Sequence, residues 1–134
     1  MKISAKAYYG LRAMIGLAKE RDFCSARTIS QKQGLPYEYL EKIFQELRLA
    51  GFLITQKGAR GGYSLARPAK KIKARDVVMA LEKEEPITRC QCDCPLVGNC
   101  SAGSFWQETA SSFVAAMGST TLLDLTKGKK QKNA

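Results

Sequence analysis

The stretch that most constrains the fold is Lys57-Gly58-Ala59-Arg60-Gly61-Gly62. It lies between two short β-forming runs, Phe52-Leu53-Ile54-Thr55-Gln56 and Tyr63-Ser64-Leu65-Ala66. The three glycines permit positive φ at a hairpin tip, and Lys57 and Arg60 place positive charge there.

Three helical patterns precede this hairpin. Residues 5–20 form the first, with Tyr8, Leu11, Ile15 and Ala18 at helical spacing and therefore expected to face the core. Ser25 is placed to cap a second helix over 26–33, which Gly34 ends. Pro36 suits the first turn of a third helix, where a missing N–H costs nothing. That helix runs to about Ala50 and stops at Gly51, with Leu40, Ile43, Phe44 and Leu47 inward. Its outer face offers Tyr37, Glu38, Glu41, Lys42, Gln45 and Arg48. Two helices joined by Gly34-Leu35-Pro36, the second with a polar outer face, form a helix-turn-helix pattern. A basic hairpin directly after such a unit reads as a wing, whose Arg60 can enter a minor groove where negative potential is concentrated. An ordinary solvated hairpin would also use Lys and Gly, so the preceding helices carry that reading.

A fourth helix is expected over 74–84, with Val77, Ala80 and Leu81 inward and Pro86 closing it. Further on, Ser104 and Gln107 have capping-box spacing for a long last helix. Its stripe of Trp106, Ala110, Phe113, Val114 and Met117 needs a surface to cover it, and a partner subunit is the natural one. The expected fold is thus mainly α. It comprises a winged helix-turn-helix domain with a two-stranded β-wing over 1–87, a cysteine-rich sensor loop over 88–103, a C-terminal dimerisation helix over 104–126 and a disordered basic tail over 127–134.

Charge agrees with this division. Residues 1–75 carry a net +11, residues 76–126 a net −5, and four lysines lie in the last eight residues. A basic front half joined to an acidic module fits nucleic-acid binding by the first part only. No apolar run is long enough to span a membrane. The start lacks the features of a secretory signal, so a cytoplasmic protein with reduced cysteines is expected.

The cysteines then carry the chemistry. Cys90, Cys92, Cys94 and Cys100 fall within eleven residues, as Cys-x-Cys-x-Cys-x₅-Cys, whereas Cys24 stands alone and reads as a small buried residue. Thiolates are the standard ligands of iron–sulfur clusters. Zinc sites favour paired Cys-x₂₋₄-Cys knuckles, which this spacing matches poorly. A metal-free thiol switch would pair 90–100 or 94–100, since cysteines two residues apart make strained bridges. All three remain open on spacing. The sequence has no histidine, no phosphate-binding Gly-Lys-Ser/Thr loop and no paired carboxylates in a recognisable cleft, which argues against an enzyme. A zinc-stapled interaction module without a DNA role is the competing class.

Several of these segments together resemble the IscR/NsrR/CymR-type bacterial regulators. They are Lys2-Ile3-Ser4-Ala5-Lys6-Ala7-Tyr8-Tyr9-Gly10-Leu11-Arg12-Ala13-Met14, Tyr39-Leu40-Glu41-Lys42-Ile43-Phe44 with Leu47-Arg48, and Lys57-Gly58-Ala59-Arg60-Gly61-Gly62-Tyr63. The resemblance covers residues 2–125. It implies a homodimeric repressor or activator on a double-stranded DNA operator, with the recognition helix in the major groove and the wing in the minor groove. Lys6, Lys42, Lys57 and Arg60 would contact phosphates or groove, and Tyr37, Glu38, Tyr39 and Glu41 would lie nearest base edges. Cluster-binding members hold a [2Fe–2S] or [4Fe–4S] cluster on three cysteines between the fourth and dimerisation helices. Cys94 and Cys100 match the last two, and Cys90 or Cys92 would be the first. The position where some members carry a ligating histidine is Gly103. The stretch where others carry a carboxylate is Lys6-Ala7-Tyr8-Tyr9, so the fourth ligand is either a fourth cysteine or another group. Glu41 matches a position that tunes which DNA sites IscR-like proteins accept, and it reads equally as a solvated acid. The CymR branch implies the alternative of a regulator controlled by thiols or by a partner protein.

Overall fold

The computed structural model describes residues 3–82 and 99–128. The elements are α1 (Ala5–Ala18), α2 (Ala26–Gln33), α3 (Tyr37–Leu49), β1 (Leu53–Gln56), β2 (Gly62–Leu65), a 3₁₀ turn (Ala69–Lys71), α4 (Ala74–Leu81), α5 (Ser101–Gly118) and α6 (Leu122–Lys127).

Local chemistry sets most boundaries. Ser4 and Ser25 cap α1 and α2 by accepting from the N–H groups of Ala7 and Thr28. Gly34 leaves α2 in the left-handed conformation at φ 66°, which glycine adopts without steric cost. Pro36 is the N-cap of α3 rather than its first turn. The inward face of α3 is as expected, with Leu40, Ile43, Phe44 and Leu47 all buried.

α1 differs. The side chains it buries belong to Ala7, Ala13, Met14 and Leu17, while Tyr8 is 61% exposed. The reason is close packing against α4: a Cβ on Gly10 would sit 2.1 Å from Leu81 Cδ1. Helices this near need a small residue between them, so Gly10 faces α4, Met14 and Leu17 turn into the core, and Tyr8, Leu11 and Ile15 are left at the margin of the buried face. α4 stops at Leu81, and it buries Val78 where Ala80 was expected. Pro86 lies outside the described residues.

β1 and β2 pair antiparallel, with Leu53 opposite Leu65 and Gln56 opposite Gly62. Cys24 adds a one-residue third strand by bridging to Tyr63. Phe44 and the Tyr63 ring meet at 4.8 Å, so the wing's base rests on the core.

The single last helix expected over 104–126 is two helices. The chain turns at Ser119-Thr120-Thr121, whose hydroxyls compete for backbone hydrogen bonds and favour helix ends. Thr121 and Asp124 then form a capping box for α6. Extended bonds stitch this turn to the chain ahead of α4, Ala74 N–H to Thr120 carbonyl and Leu122 N–H to Ile72 carbonyl, each at 2.9 Å. Leu122 is 0% exposed, so α6 closes the core of the first domain. Lys127, expected in the tail, belongs to α6. α5 begins at Ser101 with Cys100 as N-cap, and Ser104 lies inside it, not at its cap. No residue of α5 is fully buried, and Trp106 is 47% exposed.

Candidate nucleic-acid interface and cysteine segment

α3 presents three distinct longitudinal strips. With 3.6 residues per turn, Glu38, Lys42 and Gln45 lie opposite the buried stripe, and all three are exposed. Tyr37, Glu41 and Arg48 form the flank toward α2 and the wing. Tyr39 and Glu46 form the opposite flank, toward α1.

The two flanks hold different contacts. On the α1 side, the Tyr39 ring meets Tyr9 edge-on at 5.7 Å, and Lys6 Nζ reaches Glu46 Oε1 at 3.1 Å. Lys6, expected to contact DNA, is therefore paired within the protein, and Tyr39 is packed rather than presented outward. On the wing side, the Tyr37 hydroxyl donates to Glu41 Oε1 at 3.2 Å. The Arg27 guanidinium of α2 lies 4.2 Å from the centre of the Tyr37 ring. Burial pushes the Tyr63 phenol above its ordinary pKa. The Glu41 carboxylate and Tyr37 add to this, and Arg48 opposes it.

Lys57 and Arg60 are exposed on the wing and, like Lys42, form no ion pair among the described residues. Gly58 has φ 111°, and the Gly61 N–H donates to the Gly58 carbonyl at 3.0 Å, closing the tip. An open groove of about 660 Å³ separates the wing from the start of α2, lined by Ser25, Thr28, Gln56 and Arg60 among others. Glu38 and Lys42 thus lie on the exposed outer strip of α3, Glu41 on its wing-side flank, and Lys57 and Arg60 on the exposed wing. Arg27 joins this flank only through the Tyr37 ring, and a lone arginine in a polar helix carries no sequence signal.

Cys90, Cys92 and Cys94 lie outside the described residues. Cys100 is a half-buried free thiol at the N-cap of α5, and its sulfur makes no capping hydrogen bond. The sulfur is therefore not committed to the helix end and remains available as a ligand. Four closely spaced thiols are a donor set of the kind iron–sulfur clusters use, so the residues fit such a group. Cys24 differs: burial first, and Glu20 second, push its thiol up, against smaller opposite effects of Lys32 and Thr28. A buried, protonated thiol is a packing residue. Glu82, which ends α4, accepts from the Ser4 N–H at 2.8 Å and from the Ser4 hydroxyl at 2.5 Å. The residue leading into the cysteine segment is thereby tied to the N-cap of α1. Among the described residues, no helix is long and apolar enough to cross a membrane.

Comparison with known proteins gives concordant matches. The profile of the family described as "Rrf2: Iron-dependent Transcriptional regulator" matches residues 3–128. The chain is similar to "Protein rrf2" of Nitratidesulfovibrio vulgaris, 35% identical over 130 residues, covering 93% of this chain and 87% of that protein. Among solved structures, it resembles IscR of T. potens at 32% identity and a TM-score of 0.80, covering 100% of this chain and 93% of the other. It also resembles CymR, the global cysteine regulator of B. subtilis, at 32% identity and a TM-score of 0.82, covering 95% and 97%.

Proposed function

The chain belongs to the Rrf2 family of transcriptional regulators, not of enzymes, and from this we propose that it is a homodimeric, sequence-specific DNA-binding regulator whose grip on an operator is set by an iron–sulfur cluster on the cysteine segment. What supports the DNA reading is an exposed polar strip on α3 together with an exposed basic wing. Exposed Glu38, Lys42 and Gln45 lie on the outer strip of α3. Lys57 and Arg60 extend beside it, uncompensated by acids among the described residues. A recognition helix with a flanking basic hairpin engages a major groove and the adjacent minor groove.

The homodimer reading rests on α5. Phe105 and Trp106 are exposed, and Phe113 and Val114 half-covered, on a helix with no fully buried residue. A second copy of this helix would cover that face in a two-fold arrangement, which suits two half-sites about 34 Å apart.

The cluster reading rests on the donor set, Cys94 and Cys100 with Cys90 or Cys92, and on the description of the family as iron-dependent. When bound, such a group supplies a change of charge and ligation that follows iron supply or oxidation. The chain's own residues pass such a change on in two directions. Cys100 opens α5, the helix assigned to the dimer. Glu82 holds Ser4 at the start of α1, and α1 in turn contacts α3 through Lys6–Glu46 and Tyr9–Tyr39. A coupling of about 5- to 150-fold in operator affinity is the usual range for such linkage.

Anaerobic purification with a visible spectrum and iron, sulfide and zinc counts per chain tests the reading. Coloured protein with matched iron and sulfide supports it. A Cys94→Ala/Cys100→Ala double variant should lose the colour and change operator affinity in the same preparation. Colourless protein after anaerobic reconstitution would move the assignment to a metal-free thiol switch. That second reading draws on the likeness to CymR, named a cysteine regulator, and on the free Cys100 thiol.

A further inference from the structure

The flank of α3 facing the wing contains an arrangement that the outer strip lacks. Glu41 is half-buried, and one of its oxygens is already engaged by the Tyr37 hydroxyl, one turn earlier at 3.2 Å. Tyr37 is itself restrained, because the Arg27 guanidinium covers its ring at 4.2 Å. Such a cation–π contact joins α2 to α3. The Glu41 carboxylate also opposes ionisation of the Tyr63 phenol of β2, an effect that Arg48 counters. Among the described residues no cation pairs directly with Glu41.

A free glutamate on a helix surface samples several rotamers and loses that freedom on contacting a base. A glutamate held by one oxygen has one oxygen left, in a fixed direction. The base-edge group it suits is an amine donor, and in the major groove cytosine N4 is the donor that a lone carboxylate reads. The same fixed charge repels phosphates and the acceptor edges of guanine (O6, N7) and thymine (O4) at that position.

We propose that Tyr37 and Arg27 are specificity-determining positioning residues, which hold Glu41 so that the protein prefers cytosine at one position of each half-site. The inference rests on the DNA-binding reading above. Tyr37 orients the carboxylate and Arg27 orients Tyr37. Neither needs to touch the base.

The test uses the full chain against a pool of DNA duplexes with randomised sequence. Bound DNA is sequenced for the wild type and for Tyr37→Phe, Arg27→Gln, Glu41→Gln and Tyr37→Phe/Glu41→Gln. Tyr37→Phe removes one hydroxyl and keeps the ring under Arg27. The wild type should enrich cytosine at one position per half-site, and Glu41→Gln should abolish that enrichment. Tyr37→Phe should reduce it about three- to tenfold, as loss of one hydrogen bond of ordinary net strength implies. Arg27→Gln should reduce it less, and the double variant should match Glu41→Gln, because the hydroxyl acts only through the carboxylate. The salt dependence of binding by Tyr37→Phe should be unchanged, since no phosphate contact is removed.

Full cytosine enrichment in Tyr37→Phe would overturn the proposal, as would enrichment that survives Glu41→Gln. A loss spread evenly over all positions, with a lowered melting temperature, would reduce Tyr37 to a packing residue and also overturn it. A wild type that binds DNA with no base preference at all would instead sink the DNA-regulator reading itself.

Discussion

Cys24 and Tyr63 exchange two backbone hydrogen bonds, Cys24 N–H to the Tyr63 carbonyl at 2.9 Å and Tyr63 N–H to the Cys24 carbonyl at 2.8 Å. The pair makes the residue before the α2 cap a strand of the wing sheet. The wing is therefore registered against the helix-turn-helix unit, and the direction of Lys57 and Arg60 is set relative to α3.

This close approach explains Gly62. Its φ is 141°, and a Cβ there would fall 2.4 Å from the Cys24 carbonyl carbon and oxygen. Gly62→Ala should destabilise the protein by roughly 2–4 kcal/mol, through backbone strain and displacement of the wing. Urea unfolding measures this, and DNA affinity should fall even at temperatures where the variant stays folded.

Leu122 and Trp106 separate two roles that a single long helix would merge. Leu122 is fully enclosed beneath α1 and the chain ahead of α4. Leu122→Ala should cost about 2–4 kcal/mol of folding stability. Trp106→Ala should leave the folding of each chain nearly unchanged and shift the population from dimer toward monomer, read by analytical ultracentrifugation across a concentration series.

Lys57 and Arg60 should act through phosphate and groove contacts. Lys57→Ala should weaken binding to all duplexes alike and lower the slope of log affinity against log salt by about 1. Arg60→Ala should do the same and also weaken any preference for narrow, A·T-rich minor grooves at the half-site edges. Salt titrations on duplexes with and without A·T-rich half-site edges distinguish the two. Melting temperatures should hardly move, because both side chains are exposed.

Cys24 predicts an alkaline limb of stability. Its thiol is raised above the ordinary 9.0, chiefly by burial, so the folded state favours the protonated form more than the unfolded state does. This contribution is complete below the unfolded pKa and is lost as pH rises toward and through the folded one. The wild type should lose stability above about pH 9. Cys24→Ala should lose less over the same interval, as denaturation midpoints from pH 8 to 10.5 would show.

Much of the architecture is set between near neighbours and is therefore readable along the chain. Ser25 before α2, Gly34 after it, Gly51 after α3 and the glycines of the wing tip each act on adjacent backbone. The large apolar residues of α3 lie on one stripe, so its buried face follows from spacing alone. The clustered cysteines stand out because ligand chemistry is a matter of residue type and separation.

Tertiary structure decided what depends on distance across the fold. α1 carries apolar residues around much of its circumference, and the close approach at Gly10 and Leu81, not periodicity, selects its inner face. The burial of Leu122 and the turn before it place α6 in the core, whereas α5 has no fully buried residue. Lys6 meets Glu46, and Arg27 meets Tyr37, across separate helices. Hydrophobic period records which side of a helix avoids water. It holds no record of which distant side chain arrives there, because that depends on how the helices dock.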